Sequence, residues 1–362
     1  MTAVRNRPIL LRRALGWAGI GVVCLVTLEL AARIDDRLTY GAPIVGGYDM
    51  DQMFQVTARG LRGVPNASYV KWGLNAAGFR GPPVRPAAGQ TRVVAYGASE
   101  TFGIYESPDH EYPRMLERDL NAAAGADRFE VINAGMPGMR VGSGITYLQD
   151  IGRELAPKVV VIYPTPTHYV GVTRPYCGRP PSVPPQETGF TPRILGKIKD
   201  RVKAALPPNS MTLLRKAGIA LATRGGHVIE SVDPRSLDAL DADLRCAIRA
   251  ARELGAKPIL VTHANRFAHA PRDDDDYWLT GWRLQYPEVE QQVLLQLEAS
   301  ANDRIRAVAR AERVDLVDAS AQLSGVPGNF ADHAHFTDAG AARMGAILAP
   351  AVLKIASTPS GS

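Results

Sequence analysis

The sequence predicts an α/β protein: a three-layer α/β/α sandwich around a five-stranded, mostly parallel sheet, preceded by an N-terminal transmembrane helix. Three observations carry this. From residue 92 onward, short and nearly continuous apolar runs alternate with stretches of helical periodicity, the pattern of βαβ units whose strands are covered on both faces. The length of 362 residues suffices for one large α/β domain with insertions or for two smaller domains. A cluster of arginines ahead of an apolar run marks the start of the chain.

That start is a location signal. Arg5, Arg7, Arg12 and Arg13 precede the uncharged stretch 14–28, which ends at Glu29; Arg33, Asp35, Asp36 and Arg37 come after it. Basic residues before an apolar run keep the N-terminus in the cytoplasm and send the remainder of the chain across the membrane. The run falls short of the ~20 apolar residues a span wants. It reaches that length if extended to Ala32, with Glu29 snorkelling or facing a partner. A cleavable signal peptide is the alternative, although no Ala-x-Ala site stands out before Asp35. Either way residues 38 onward are expected to be exported. The expected location is the bacterial inner membrane, single-pass, with the main domain in the periplasm.

Residues 38–90, rich in Gly and Pro, read as an irregular lead-in. The strand candidates are 92–96, 130–133, 158–163, 258–262 and 314–317, the last interrupted by Asp315. The helical candidates are 111–123, 144–155, 236–254, 287–311 and 338–355. In the fourth, Val289, Val293, Leu294, Leu297, Ile305 and Val308 recur at helical spacing. The main domain is therefore placed at 91–356, after a cytoplasmic N-terminus and anchor at 1–37 and before a tail at 357–362. An insertion at about 165–234 breaks the alternation with Pro175, Pro180, Pro181, Pro184, Pro185, Pro207 and Pro208. Its basic residues Lys197, Lys199, Arg201 and Lys203 suit a solvated helical face, an anionic polymer or a membrane surface.

Composition narrows the function classes. The net charge of +6 is modest for this length and concentrated in the N-terminus and residues 193–224, which argues against a nucleic-acid partner. Three cysteines are too few for a disulfide scaffold. Cys24 lies in the apolar run, which leaves Cys177 and Cys246 as a pair or as two separate thiols.

Chemistry gathers where strands end. In Gly97-Ala98-Ser99-Glu100-Thr101-Phe102-Gly103 a serine follows the first strand, where it serves either as a nucleophile or as a helix cap. A nucleophilic serine needs a base within hydrogen-bond reach and a group to orient that base. Of seven histidines, His335 is the most suggestive, because Asp332 lies three residues before it and one turn aims both side chains the same way. In open α/β sheets ligands bind beyond the carboxyl ends of the strands, where Ser99 and His335 can converge. Asn133-Ala134-Gly135-Met136-Pro137-Gly138 follows the second strand and offers backbone N–H groups to an oxyanion, as does Ser99 itself. A metal site built on Asp332, His333 and His335 has no further ligand cluster to support it, and no cofactor is expected. His263 and Asn265, past the fourth strand, and His168, past the third, are candidates to line the crevice.

These blocks resemble the SGNH (GDSL-type) hydrolases. Residues 97–103 look like the first family block, 133–138 like the second, and Asp332-x-x-His335 with the succeeding Phe336-Thr337-Asp338-Ala339-Gly340 like the last. Residues 74–81, Leu-Asn-Ala-Ala-Gly-Phe-Arg-Gly, are similar to a lead-in of membrane-anchored bacterial members. The blocks stand in family order and the resemblance covers about 70–165 and 236–350. It implies a flavodoxin-like hydrolase fold, with Ser99 as nucleophile, His335 as base, Asp332 as its orienter and Gly138 as oxyanion donor. Two positions depart from the pattern. Ala98 replaces the usual aspartate, and Thr167, beside His168, stands where the family has an asparagine that donates to the oxyanion.

The function so implied is an exported serine esterase acting on small acyl, above all O-acetyl, esters of a cell-surface or secreted polysaccharide, by hydrolysis or transfer. Polysaccharide-biosynthesis proteins are its candidate partners. The alternatives are a non-catalytic carbohydrate-binding member of a polysaccharide assembly complex, and a lipase or thioesterase, which would need a long apolar tunnel.

Overall fold

The computed structural model describes residues 7–40, 44–45, 50–57, 60–86, 89–179, 192–267, 272 and 275–357. Arg5, Pro180, Pro181, Pro184 and Pro185 of the insertion, Asp273 and Asp274, and residues 358–362 of the tail lie outside the described residues.

The N-terminal run forms helix α1 (Arg7–Tyr40). Its segment Leu15–Thr39, of mean hydropathy 1.9, is long and apolar enough to cross a membrane. Its large apolar side chains, among them Trp17, Val23 and Leu25, are exposed. The C-terminal helix (Asp338–Ser357) matches the length and composition of a span as well, but Met344, Leu348, Val352 and Ile355 are buried in the core.

The lead-in differs from the irregular segment expected. It holds two antiparallel ribbons, β1 (Phe54–Thr57) with β2 (Gly60–Gly63) and β3 (Ser68–Tyr69) with β4 (Trp72–Gly73). Met53, Phe54, Leu74 and Phe79 join the main hydrophobic core. The strands are too short to announce themselves by alternation, and Gly and Pro mask them.

The five apolar runs become β5 (Thr91–Gly97), β6 (Phe129–Asn133), β7 (Val159–Tyr163), β8 (Lys257–Val261) and β9 (Asp315–Val317). They pair in the order β6-β5-β7-β8-β9, every pairing parallel. Side chains alternate between faces. Val94, Ile132, Val160, Ile162 and Leu260 pack with helices α4 (Ile145–Leu155) and α7 (Pro234–Glu253). Val93, Val131, Val159, Val161 and Ile259 pack with α3 (Tyr112–Ala124) and α11 (Asp338–Ser357). This is the predicted α/β/α sandwich.

Between β5 and α3 lies the one-turn helix α2 (Ser99–Phe102), and the insertion holds α5 (Arg193–Ala205) and α6 (Pro208–Ala222). After β8 come α8 (Asp276–Arg283) and α9 (Gln291–Glu312), and after β9 the short α10 (Ala319–Leu323). Helix α9 starts later than its periodicity predicts, because Val289 is held in a bridge with Ile229. The N–H of Ile229 donates to Glu288 O at 2.7 Å and that of Glu290 to Ile229 O at 3.0 Å. Cys177 and Cys246 form a disulfide. Asp243 pins the turn that carries it, accepting from the N–H groups of Tyr176 and Cys177 at 3.0 and 2.8 Å and from the Tyr169 hydroxyl at 2.8 Å.

Strand order reverses at β5, with β6 on one side and β7, β8 and β9 on the other. The crevice of such a sheet opens at that switch, where the chain leaves β5 for Ser99.

Candidate active site

Ser99 opens α2, a turn held from behind. Gly103 ends it in the left-handed conformation at φ 86°. Arg80, from the Leu-Asn-Ala-Ala-Gly-Phe-Arg-Gly segment, donates through Nη1 to Phe102 O at 2.8 Å and also to Gly103 O. Asn133 Nδ2 donates to Phe102 O at 3.3 Å, while its Oδ1 accepts from Gly135 N at 3.0 Å. Gly135 has no alternative here, since an added Cβ would collide with the backbone of Phe102. The first two sequence blocks thus brace one another.

Asp332 and His335 come from the loop after α10. Asp332 Oδ1 accepts from the N–H groups of Ala334 and His335 at 3.0 and 2.9 Å, which closes the turn on itself. Its Oδ2 lies 2.8 Å from His335 Nδ1. His335 Nε2 lies 2.9 Å from Ser99 Oγ. The network assigns the ring proton to Nδ1, directed at Asp332, and leaves Nε2 to accept from the serine. Burial alone would lower the pKa of His335, but the hydrogen bond and charge of Asp332, with Glu100 and Glu106 behind, raise it above the ordinary histidine value. Burial would likewise raise that of Asp332, yet its bond to His335 and the charge there hold it below the carboxylate range.

Tyr105 stands at the mouth, its ring 5.5 Å from that of His335. Burial and the Asp332 charge push its hydroxyl up to about 12, so it stays protonated. On the other side His333 stacks on Trp282 at 5.1 Å and meets His335 edge-on at 5.9 Å. Burial lowers the pKa of His333 to about 4, so this ring is neutral.

A second polar chain lies behind the serine, and sequence reasoning missed most of it. Glu100 Oε2 is 3.2 Å from Ser99 Oγ and accepts from Thr165 Oγ1 at 2.9 Å. Glu100 Oε1 is 3.2 Å from His263 Nε2, and His263 Nδ1 is 2.7 Å from Glu298 Oε2. All three ionisable groups are fully buried. Burial would lower the pKa of His263, but its two carboxylates raise it to about 10, so the ring is an imidazolium. Burial would raise that of Glu100, and the bond and charge of His263 outweigh it and lower it. The Ser99 hydroxyl therefore has two acceptors in reach, His335 Nε2 and a carboxylate fixed by a buried cation.

The other sequence candidates take different places. His263, a candidate crevice residue, is 1 % exposed and has both ring nitrogens engaged by protein, so it supports the site from inside rather than lining it. Asn265 is also buried; its Oδ1 accepts from Phe267 N at 2.9 Å, which shapes its own loop. Gly138 is at φ 76° with open space where a side chain would be, a conformation that favours glycine. Thr167 is 3 % exposed on the turn Pro166–Tyr169, close to Tyr286. It is the neighbouring Thr165 that reaches Glu100. Ring atom Nδ1 of His168 is 3.1 Å from Met139 O, and its carbonyl accepts from Arg140 Nε at 2.7 Å, which ties this turn to the residues just past the 133–138 block.

No family model matches the chain, and no curated protein matches it. Solved structures do. A lipase/acylhydrolase from Enterococcus faecalis is 16% identical, with a TM-score of 0.44 over 75% of this chain and 100% of that one. The acetyl xylan esterase AlAXEase is also 16% identical, with a TM-score of 0.41 over 72% and 99%. A protein of the G-D-S-L family from Desulfitobacterium hafniense, described as a lipolytic protein, is 13% identical, with a TM-score of 0.40 over 72% and 99%.

Proposed function

We propose that this chain is a serine esterase of the SGNH type. The observation that carries the reading is the unbroken chain Ser99 Oγ–His335 Nε2–His335 Nδ1–Asp332 Oδ2, with links of 2.9 and 2.8 Å on the two sides of the ring. In this reading Ser99 Oγ attacks an ester carbonyl as Nε2 takes its proton, and Asp332 stabilises the imidazolium that forms. The carbonyl oxygen becomes an oxyanion held by the N–H groups of Ser99 and Gly138, with Thr167 as the candidate third donor. The tetrahedral species collapses, the leaving alcohol takes the proton from His335, and an acyl-enzyme remains. Water or a sugar hydroxyl then attacks that ester with His335 again as base, and Ser99 is released.

The acyl group we assign is small, acetyl first, in keeping with a loop after β6 that carries Gly135 and Gly138. The substrate is an O-acylated polysaccharide of the cell surface, and the catalytic domain is periplasmic. Two observations support the compartment: Arg12 and Arg13 precede the apolar part of α1, and the Cys177–Cys246 disulfide suits an oxidising space. Intact Ser99, His335 and Asp332 geometry favours catalysis over carbohydrate binding alone.

A fluorophosphonate probe tests the reading on wild type, Ser99→Ala and His335→Ala, with acetate release from an acetyl ester monitored in parallel. Labelling and release lost in both variants are expected. A folded wild type that takes no label would overturn the triad.

A further inference from the structure

Glu29 is the one acid between Arg13 and Arg33 in an otherwise apolar run, and the structure gives it a task. Its Oε1 accepts from Arg33 Nε at 2.6 Å and from Arg193 N at 3.0 Å, and its Oε2 accepts from Ile194 N at 2.9 Å. The carboxylate thus caps the first turn of α5 and is neutralised by Arg33. Further along α1, Asp36 is fully buried against α5, paired with Arg193 and, at 2.7 Å, with Lys197; Asp35 pairs with Lys197 too.

These contacts fix the rotation of α5. From Glu29 to Asp36 the chain climbs about 10 Å along α1, at about 1.5 Å per residue. Helix α5 begins at the Glu29 level and sends Arg193 and Lys197 up towards Asp35 and Asp36. At about 100° per residue, Leu195, Ile198 and Val202 fall on the arc opposite those two. All three are exposed, at 58, 49 and 51 %. Lys199, Arg201 and Lys203 flank the arc, exposed and without an ion pair among the described residues. A hydrocarbon core of about 30 Å starting at Ala14 would end near Ile34, so the start of α5 at Glu29 lies about one helical turn inside that boundary.

We infer that α5 is an interfacial helix: Leu195, Ile198 and Val202 enter the outer boundary of the bilayer that α1 spans, and Lys199, Arg201 and Lys203 meet anionic lipid headgroups. This rests on the reading of α1 as a membrane anchor. Arg193, Lys197 and Asp200 share the opposite side of α5, the side that meets Asp35 and Asp36.

The test uses the full chain carrying Cys24→Ser, with an environment-sensitive fluorophore on Ile198→Cys, Asp200→Cys or Val23→Cys in turn. The proteins are placed in vesicles of phosphatidylethanolamine and phosphatidylglycerol with a nitroxide-bearing lipid. The label at 198 should be quenched by at least about twofold and the label at 200 left unquenched, while the label at 23 is quenched and reports the span itself. Quenching at 23 without quenching at 198 overturns the interfacial helix and leaves the anchor standing. No quenching at 23 overturns the anchor, and the interfacial helix with it.

Discussion

The buried imidazolium between Glu100 and Glu298 makes a sharp demand on stability. Glu298→Gln keeps the size and the acceptor of the side chain but removes one of the two charges that hold His263 protonated, at 3.2 and 2.7 Å. Breaking a buried pair by removing one partner costs about 3–5 kcal/mol. The retained acceptor puts this variant near the lower end, about 3 kcal/mol. Each kcal/mol moves the midpoint of a domain of this size by about 2–4 °C, so a fall in Tm of about 6–12 °C is expected. The pH dependence has a definite sign. His263 is held at about 10 when folded against an ordinary 6.5. The stabilisation is therefore fully present below pH 6.5 and is lost as pH rises through 10. The gap between wild type and variant should thus be wide at pH 6 and narrow by pH 9.5. Scanning calorimetry of the detergent-purified full chain at those two values reads both quantities. A fall of under about 2 °C at pH 6, or a gap that does not change with pH, would refute a buried imidazolium.

Activity on an acetyl ester should rise with pH through a half-maximum above 6.5, because the base must be neutral and Asp332 raises its pKa. A midpoint at or below 6.5 in a pH–rate profile counts against that pairing. Arg80→Met frees the carbonyls of Phe102 and Gly103 from their clamp and should slow fluorophosphonate labelling by about 10–100-fold through misplacement of Ser99, with far-UV dichroism checking the fold. Thr167→Val should cost less than about tenfold in kcat, because Thr167 is buried and it is Thr165 that reaches Glu100 behind the serine; a loss of about 10²–10³ would make it a working oxyanion donor. Cys246→Ser opens a bridge across a sequence separation of 69, worth about 4 kcal/mol in the chain-entropy account. A denaturant midpoint unchanged from wild type would show that the bridge does not stabilise the fold.

The sheet was legible because its signal is local. Each of the five strands is a short apolar run, and burial under two helical layers requires nothing more of it. The Asp332–His335 pair was legible for the same reason, since one turn fixes both residues. What stayed hidden depends on partners far away in sequence. Glu100 sits next to the serine, yet its role comes from His263 and Glu298, which other strands and helices bring in. Glu298 could have been suspected, because it shares a helical face with the buried Leu294, Leu297 and Ala301. An acid on an apolar face needs a buried partner. Glu29 obeys the same rule in the apolar run of α1. A carboxylate without a counter-charge is costly in apolar surroundings, so its presence there called for a cation and donors nearby. The structure supplies Arg33 from the same helix and two backbone N–H groups from α5. Both acids are anomalies of a local pattern. In both cases the anomaly marks where two distant parts of the chain are fastened, one behind the serine and one where α1 meets the insertion.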